Sequence, residues 1–262
     1  MKASKELEKI LSDKTSGSSE ILLKLNNYFR KIIDEPEKFS LTIRLVKKEL
    51  PYFTSIDNYI KHLENICPSE DKKVVIDFIT SFDEISYNKY QRIYENAKPV
   101  LKNLKTVLTI SNSKTIAEFF KLWRKDNKQL KVIVCESRPK NEGRIFTKAL
   151  LKENIKVEFI TDFMISHYFP KVDAVILGAD SILKNGNVIN KTGSLSAALL
   201  CRQFKKPCYV LASKDKFTNK KTFYQKEQNK NEVWNFRHML LTINNIYFEE
   251  VSKKFITKLI TE

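Results

Sequence analysis

The sequence predicts an α/β protein, with an N-terminal helical domain over residues 1–103 followed by a Rossmann-like parallel-sheet domain over residues 104–262. Three observations carry that reading. Up to about residue 103, apolar residues recur at the spacing of a helix face. Beyond Pro99, short runs rich in β-branched residues alternate with helical stretches. Only five glycines occur in 262 residues, and four of them fall at predicted strand ends or loops of the second part.

The helical part is built from several such faces. Leu7, Ile10 and Leu11 form one, and Ile21, Leu22, Leu25, Tyr28, Phe29 and Ile32 form another. Ile56, Tyr59, Ile60 and Leu63 predict a helix over 55–67, and a longer helix is predicted over 72–96. Pro36, Pro51, Pro68 and Pro99 are expected between helices, because proline has no N–H for an interior helical bond. In the second part the apolar runs 106–110, 132–135, 157–160, 174–177 and 208–211 predict strands. Helices are predicted over 113–126, 143–154 and 194–204. Strands apolar on both faces and separated by helices point to a buried parallel sheet. Ligands bind such sheets at the carboxyl ends of the strands, so the residues just after each strand carry the functional expectation.

Composition narrows the function classes. The charge is +16, from 47 Lys and Arg against 31 Asp and Glu. It is compatible with a solvated basic surface or with a polyanionic partner. The lysines are spread along the chain, and no basic run is read as interleaved with aromatics. No apolar run is long enough to predict a membrane span, and the charged N-terminal stretch lacks the apolar core of a signal peptide. Four cysteines without a CxxC pair, and three scattered histidines, predict reduced thiols in the cytoplasm, no metal and no cofactor.

Several strand-end segments are candidate sites. Gly178-Ala179-Asp180 follows the run 174–177 and offers a carboxylate for acid–base work or for a loop hydrogen bond. Residues 185–194 (Asn-Gly-Asn-Val-Ile-Asn-Lys-Thr-Gly-Ser) read as a tight hairpin leading into a helix. Free N–H groups there, the helix dipole and the pair Asn190-Lys191 would bind an anion; capping by Ser194 is the simpler reading. Ser111, Asn112 and Ser113 end the first strand at a helix start, suited to a phosphate or to a cap. Arg138, after the second strand, either grips an anion or pairs with Glu136. Thr15 to Glu20 combines a helix-capping pattern with the look of an anion loop.

Taken in order and spacing, Cys-Glu-Ser-Arg-Pro…Glu-Gly, Gly-Ala-Asp-Ser-Ile, Val-Ile-Asn-Lys-Thr-Gly-Ser and Pro-Cys-Tyr-Val-Leu-Ala…Lys-Phe resemble the initiation factor 2B α/β/δ subunit family. That superfamily also holds ribose-1,5-bisphosphate and methylthioribose-1-phosphate isomerases. The resemblance implies a helical domain on a Rossmann-like domain, dimerised through the latter. It implies an acid–base pair of aspartate and cysteine: the aspartate falls on Asp180, and the cysteine position holds Ser111. The phosphate-binding Arg-Gly-Ala of the isomerases stands here as Ser16-Gly17-Ser18, and a second arginine falls at Leu50. Asn112, Ser113, Asn190, Lys191 and Lys216 remain of the anion clamp. The expectation is therefore an initiation factor 2B-related protein that binds a phosphorylated metabolite or nucleotide in a regulatory role, without efficient catalysis. Its expected partners are that phosphorylated small molecule, a second copy in a homodimer, and a protein partner; no membrane is expected. The alternatives are an aldose–ketose isomerase using Asp180 with Ser111 or a water, and a basic scaffold for protein or RNA.

Overall fold

The structure, a computed structural model, describes residues 3–13, 15–67 and 72–262. Five helices come first: α1 (Lys5–Leu11), α2 (Ser18–Lys31), α3 (Pro36–Glu49), α4 (Thr54–Ile66) and α5 (Lys72–Leu101). The Ser4 side chain caps α1 by accepting the Leu7 N–H, and Pro36 starts α3 where a missing N–H costs nothing. Their inward residues, among them Leu7, Ile21, Leu25, Phe29, Val46, Ile60 and Ile79, close into one core. Each such fully buried side chain stabilises the fold by roughly 1.5–3 kcal/mol.

Helix α5 belongs to two cores. Val75 and Ile79 pack among the N-terminal helices, whereas Ile93, Tyr94, Ala97 and Leu101 pack on the sheet. It runs past the expected end at residue 96 and carries Pro99 in its last turn rather than after it. The anchorage of Leu101 and Ala97 in the sheet core holds that turn despite the lost N–H. Pro68 lies outside the described residues.

The remainder runs β1 (Thr106–Thr109), α6 (Lys114–Asp126), β2 (Lys131–Cys135), α7 (Glu142–Lys152), β3 (Lys156–Ile160), α8 (Ile165–Tyr168), β4 (Ala174–Leu177), β5 (Ser181–Ile182), β6 (Val188–Lys191), α9 (Ser194–Gln203), β7 (Cys208–Leu211), β8 (Phe248–Val251) and β9 (Lys258–Ile260). The main sheet is parallel throughout, in the order β3-β2-β1-β4-β7-β9. Alternate residues face opposite ways. Val107, Val132 and Ile176 meet α5, α6 and α7, while Leu108, Ile133 and Val175 meet Ala197, Ala198 and Cys201 of α9. The predicted strands and helices of this part are present within a residue or two. The short edge strand β9, and the small antiparallel sheet β5-β6-β8 that carries the hairpin, were not foreseen.

Two features place the site. The winding reverses between β1 and β4, so the loops after these two strands flank an open crevice. The start of α7 folds tightly against the end of β2: a Cβ on Gly143 would lie 2.0 Å from the Cys135 carbonyl oxygen. Only glycine lets Glu142, one residue earlier, enter the same crevice.

Candidate functional site at the β1–β4 crevice

The crevice encloses about 780 Å³ of free space, counting its open mouth. Its walls come from the 15–19 loop and the start of α2, the residues after β1, the start of α7, the residues after β4, and Asn190, Lys191, Lys216 and Tyr247. Two polar assemblies organise it.

The first ties α2 to the sheet. The Ser18 hydroxyl donates to Asp180 Oδ1 at 3.3 Å and accepts a short hydrogen bond from Lys216 Nζ. The Asp180 N–H is fixed by the Ile189 carbonyl at 2.8 Å. Asp180 keeps some surface open to the crevice, yet desolvation is the largest influence on its carboxyl. Burial pushes it above the ordinary carboxylate range, against the opposing pull of Lys216, Ser18 and Lys191. Burial likewise pushes Lys216 down, opposed by Asp180 and Asp215. Behind it, burial would raise Asp215, but Lys89 at 2.9 Å, Lys216 and Ser213 hold it low.

The second assembly lies under Ser111. This residue takes a left-handed backbone (φ 75°), uncommon for a non-glycine and held by its N–H donating to Ser137 Oγ at 2.8 Å. Its hydroxyl reaches Glu142 Oε1 at 3.4 Å, and the same oxygen pairs with Lys191 Nζ at 2.5 Å. Both members of that ion pair are almost wholly buried, and Lys191 also sits 4.5 Å from the Tyr247 ring centre. Glu142 Oε2 is buried without a hydrogen-bond partner.

The geometry relocates several expectations. Asp180, Ser111, Ser16, Gly17, Asn112, Ser113, Asn190, Lys191 and Lys216 all line the crevice. Arg138 does not: its N–H and that of Ser137 are gripped by the Asp162 carboxylate at 2.8 Å. Its guanidinium is exposed, donating to the Val233 carbonyl at 3.3 Å. Glu136 pairs instead with Arg144, at 3.7 Å. The N-terminus of α9 is not free either. Glu249 Oε1, from β8, accepts the N–H of Gly193 at 2.7 Å and of Leu195 at 2.8 Å. Asn190 Nδ2 donates to Ser194 Oγ, which donates in turn to the Lys191 carbonyl, so Ser194 does not cap the helix by its side chain.

Sequence reasoning missed Glu142 and Asp13. Asp13 Oδ1 accepts the N–H groups of Thr15 and Ser16, each at 3.0 Å, and Oδ2 pairs with Lys24 at 2.8 Å. Lys24 also donates to Ser16 Oγ at 2.8 Å. The signal for Asp13 was present, since an acid two and three residues before a Thr-Ser pair suits an Asx turn. Among the described residues no cluster of His, Cys, Asp and Glu has metal-site geometry, and no helix is long and apolar enough to cross a membrane. The Cys135 thiol is pushed up to about 12 by burial and by Asp162, which makes it inert.

The model of the initiation factor 2 subunit family matches residues 2–262. The chain is 28% identical over 264 residues to a putative translation initiation factor eIF-2B subunit 2-like protein of Pyrococcus furiosus, covering 100% of this chain and 95% of that one. It is also 28% identical to ribose 1,5-bisphosphate isomerase of Archaeoglobus fulgidus, over 97% of this chain and 86% of the other. In fold it resembles the crystal structure of Pyrococcus horikoshii OT3 translation initiation factor eIF-2B (TM-score 0.81, 22% identity, 97% of this chain and 93% of the other). It likewise resembles a chain of the tetrameric eIF2B-beta2-delta2 complex of C. thermophilum (TM-score 0.81, 17% identity, 100% and 92%).

The Asp13 turn yields a pH-dependent prediction. Burial would raise its carboxyl, but Lys24 and the two backbone N–H groups hold it well below the usual range. A depressed folded-state value stabilises the protein above the unfolded value of about 3.9, and that contribution is lost as pH falls through the folded value. Asp13→Asn is therefore expected to lower unfolding free energy by about 1–2 kcal/mol at pH 7. The gap to wild type should begin to narrow as urea titrations move from neutral pH to about pH 3; a gap independent of pH would assign the loss to packing.

Proposed function

The chain belongs to the initiation factor 2 subunit family, and from that premise we propose that its crevice binds a phosphorylated metabolite or nucleotide in a regulatory role, without efficient isomerisation. The observation that carries this is the partner offered to Asp180 for moving protons. The resemblance puts a thiol where the Ser111 hydroxyl stands, and a hydroxyl gives up its proton far less readily than a thiol. Asp180, raised by burial, is suited to hold a proton, but a hydroxyl stands at the position of its acid–base partner.

Charge supports one phosphate rather than two. The wall presents Lys114, Lys191 and Lys216 against Asp13, Glu142 and Asp180, so its formal charges cancel. Lys191 is held by Glu142 and Lys114 by Glu118, at 2.5 and 2.7 Å. An incoming dianion has to compete with an internal carboxylate for each, which a bisphosphate would have to do twice. The carboxylates and hydroxyls of the wall suit the hydroxyl groups of a sugar as donors. A sugar monophosphate or nucleoside monophosphate meets both conditions.

A thermal-shift comparison of ribose 5-phosphate, AMP and free ribose tests this reading. The phosphorylated compounds are expected to raise the midpoint, by the equivalent of about 2.7 kcal/mol at a hundredfold excess over Kd, and free ribose is not. Glu142→Gln, which frees Lys191, should enlarge the shift. No shift from either phosphorylated compound would count against the pocket.

A second copy of the chain is the proposed mate of an exposed apolar segment near the crevice loops. Trp234 is 56% exposed, Met239 93% and Leu240 86%, a run too apolar to leave in water without purpose. Light scattering at micromolar concentration should report a dimer mass, and Met239→Asp with Leu240→Asp should shift it to monomer. A monomeric wild type would remove the proposal.

A further inference from the structure

A second hollow opens on the other side of Tyr52, whose ring borders both spaces. It holds about 1300 Å³ of free space including its wide mouth. One wall is the turn between α3 and α4; the other is the segment 218–226, which has no helix or strand of its own. That segment is nevertheless pinned. The Thr218 N–H donates to the Ile182 carbonyl, the Lys184 N–H to the Lys220 carbonyl, each at 3.0 Å, and Gln225 Nε2 to the Phe248 carbonyl at 2.8 Å. The floor is polar, with Thr54 and Ser181 sharing a hydroxyl hydrogen bond at 2.5 Å.

Its electrostatics are the reverse of the crevice's. Lys220, Lys221 and Lys226 line it, all exposed, and none is paired with a carboxylate among the described residues. Three unneutralised lysines on one short segment repel one another unless an anion lies between them. Aromatic faces stand among them. Tyr224 is 81% exposed, and Lys226 Nζ lies 5.3 Å from the Tyr52 ring centre. The run Lys220-Lys221-Thr222-Phe223-Tyr224-Gln225-Lys226 therefore does interleave basic and aromatic residues, contrary to the expectation from sequence, and the fold adds Tyr52 to it.

We propose that this groove binds single-stranded RNA, with phosphates on Lys220, Lys221 and Lys226 and an unstacked base on Tyr224. Cations alternating with open ring faces match the alternation of phosphates and bases along a single strand. A duplex keeps its bases stacked and has no use for an exposed tyrosine face. The +16 charge of the whole chain adds long-range attraction for such a strand. The groove shares no lysine with the crevice, so this proposal stands or falls apart from the metabolite reading.

Fluorescence anisotropy with a labelled oligouridine, titrated against salt, tests it. Wild type should bind with a log–log salt slope of about −2, the value for three lysine–phosphate contacts on a single strand. Lys220→Glu with Lys221→Glu should weaken binding by at least about tenfold, and Tyr224→Ala by about tenfold. Tyr224→Phe should keep it. Lys152→Glu with Lys156→Glu, on α7 and β3, makes the same charge change away from the groove and should have less than about a twofold effect. These side chains are exposed, so an unchanged thermal midpoint confirms each fold. Failure to bind at low salt would overturn the proposal. So would equal loss in the distant charge variant, indifference to Tyr224→Ala, or tighter binding of a duplex of the same length.

Discussion

The crevice depends on one small bridge. Ser18, the first residue of α2, is clamped between Lys216 and Asp180, which lie 198 and 162 positions away in the chain. It joins the first turn of α2 to the residues after β4, beside the hydrogen bonds that Thr54 and Asn58 of α4 make to Ser181 and to the carbonyls of Asp215 and Phe217. The bridge also explains the opposed displacements of its two charges. Both are buried, burial penalises both ionised forms, and each is the other's main relief. A further layer, Asp215 with Lys89 of α5, extends the network to the helix that joins the two cores.

The same logic runs through the rest of the site, where positive features are met by the protein's own carboxylates. Glu142 holds Lys191, Glu249 fills the N-terminus of α9, and Asp13 takes the N–H groups of the first loop. Such a pocket is stable when empty and selective when filled, because a ligand gains only what exceeds the internal pairing it replaces. Ser111, strained and bonded to Glu142, is placed by that network rather than activated by it.

Much of this was legible in the chain. The core strands are short β-branched runs bounded by helices, and the strand-end rule then located Asp180, Ser111 and Lys191 in one crevice. What escaped had long-range causes. The three-residue β9 is a strand only because β7 offers an edge, and Lys-Leu-Ile carries no periodicity of its own. Glu249 reaches the start of α9 from more than fifty positions further on in sequence, so a glycine-led helix entry read as open when it was already filled. Arg138 was promising by position, but Asp162 fixes its backbone and turns its side chain outward. Glu142 sat within the quoted motif, unnoticed because its meaning depends on the close approach at Gly143.

The central claim is a pocket that binds a sugar phosphate and leaves it unchanged. Phosphorus NMR of ribose 1,5-bisphosphate and methylthioribose 1-phosphate, each incubated with stoichiometric protein, addresses it most directly. The account predicts that the starting resonances persist over hours with no ketose phosphate signal. New resonances that appear with wild type and vanish with Asp180→Asn would contradict it.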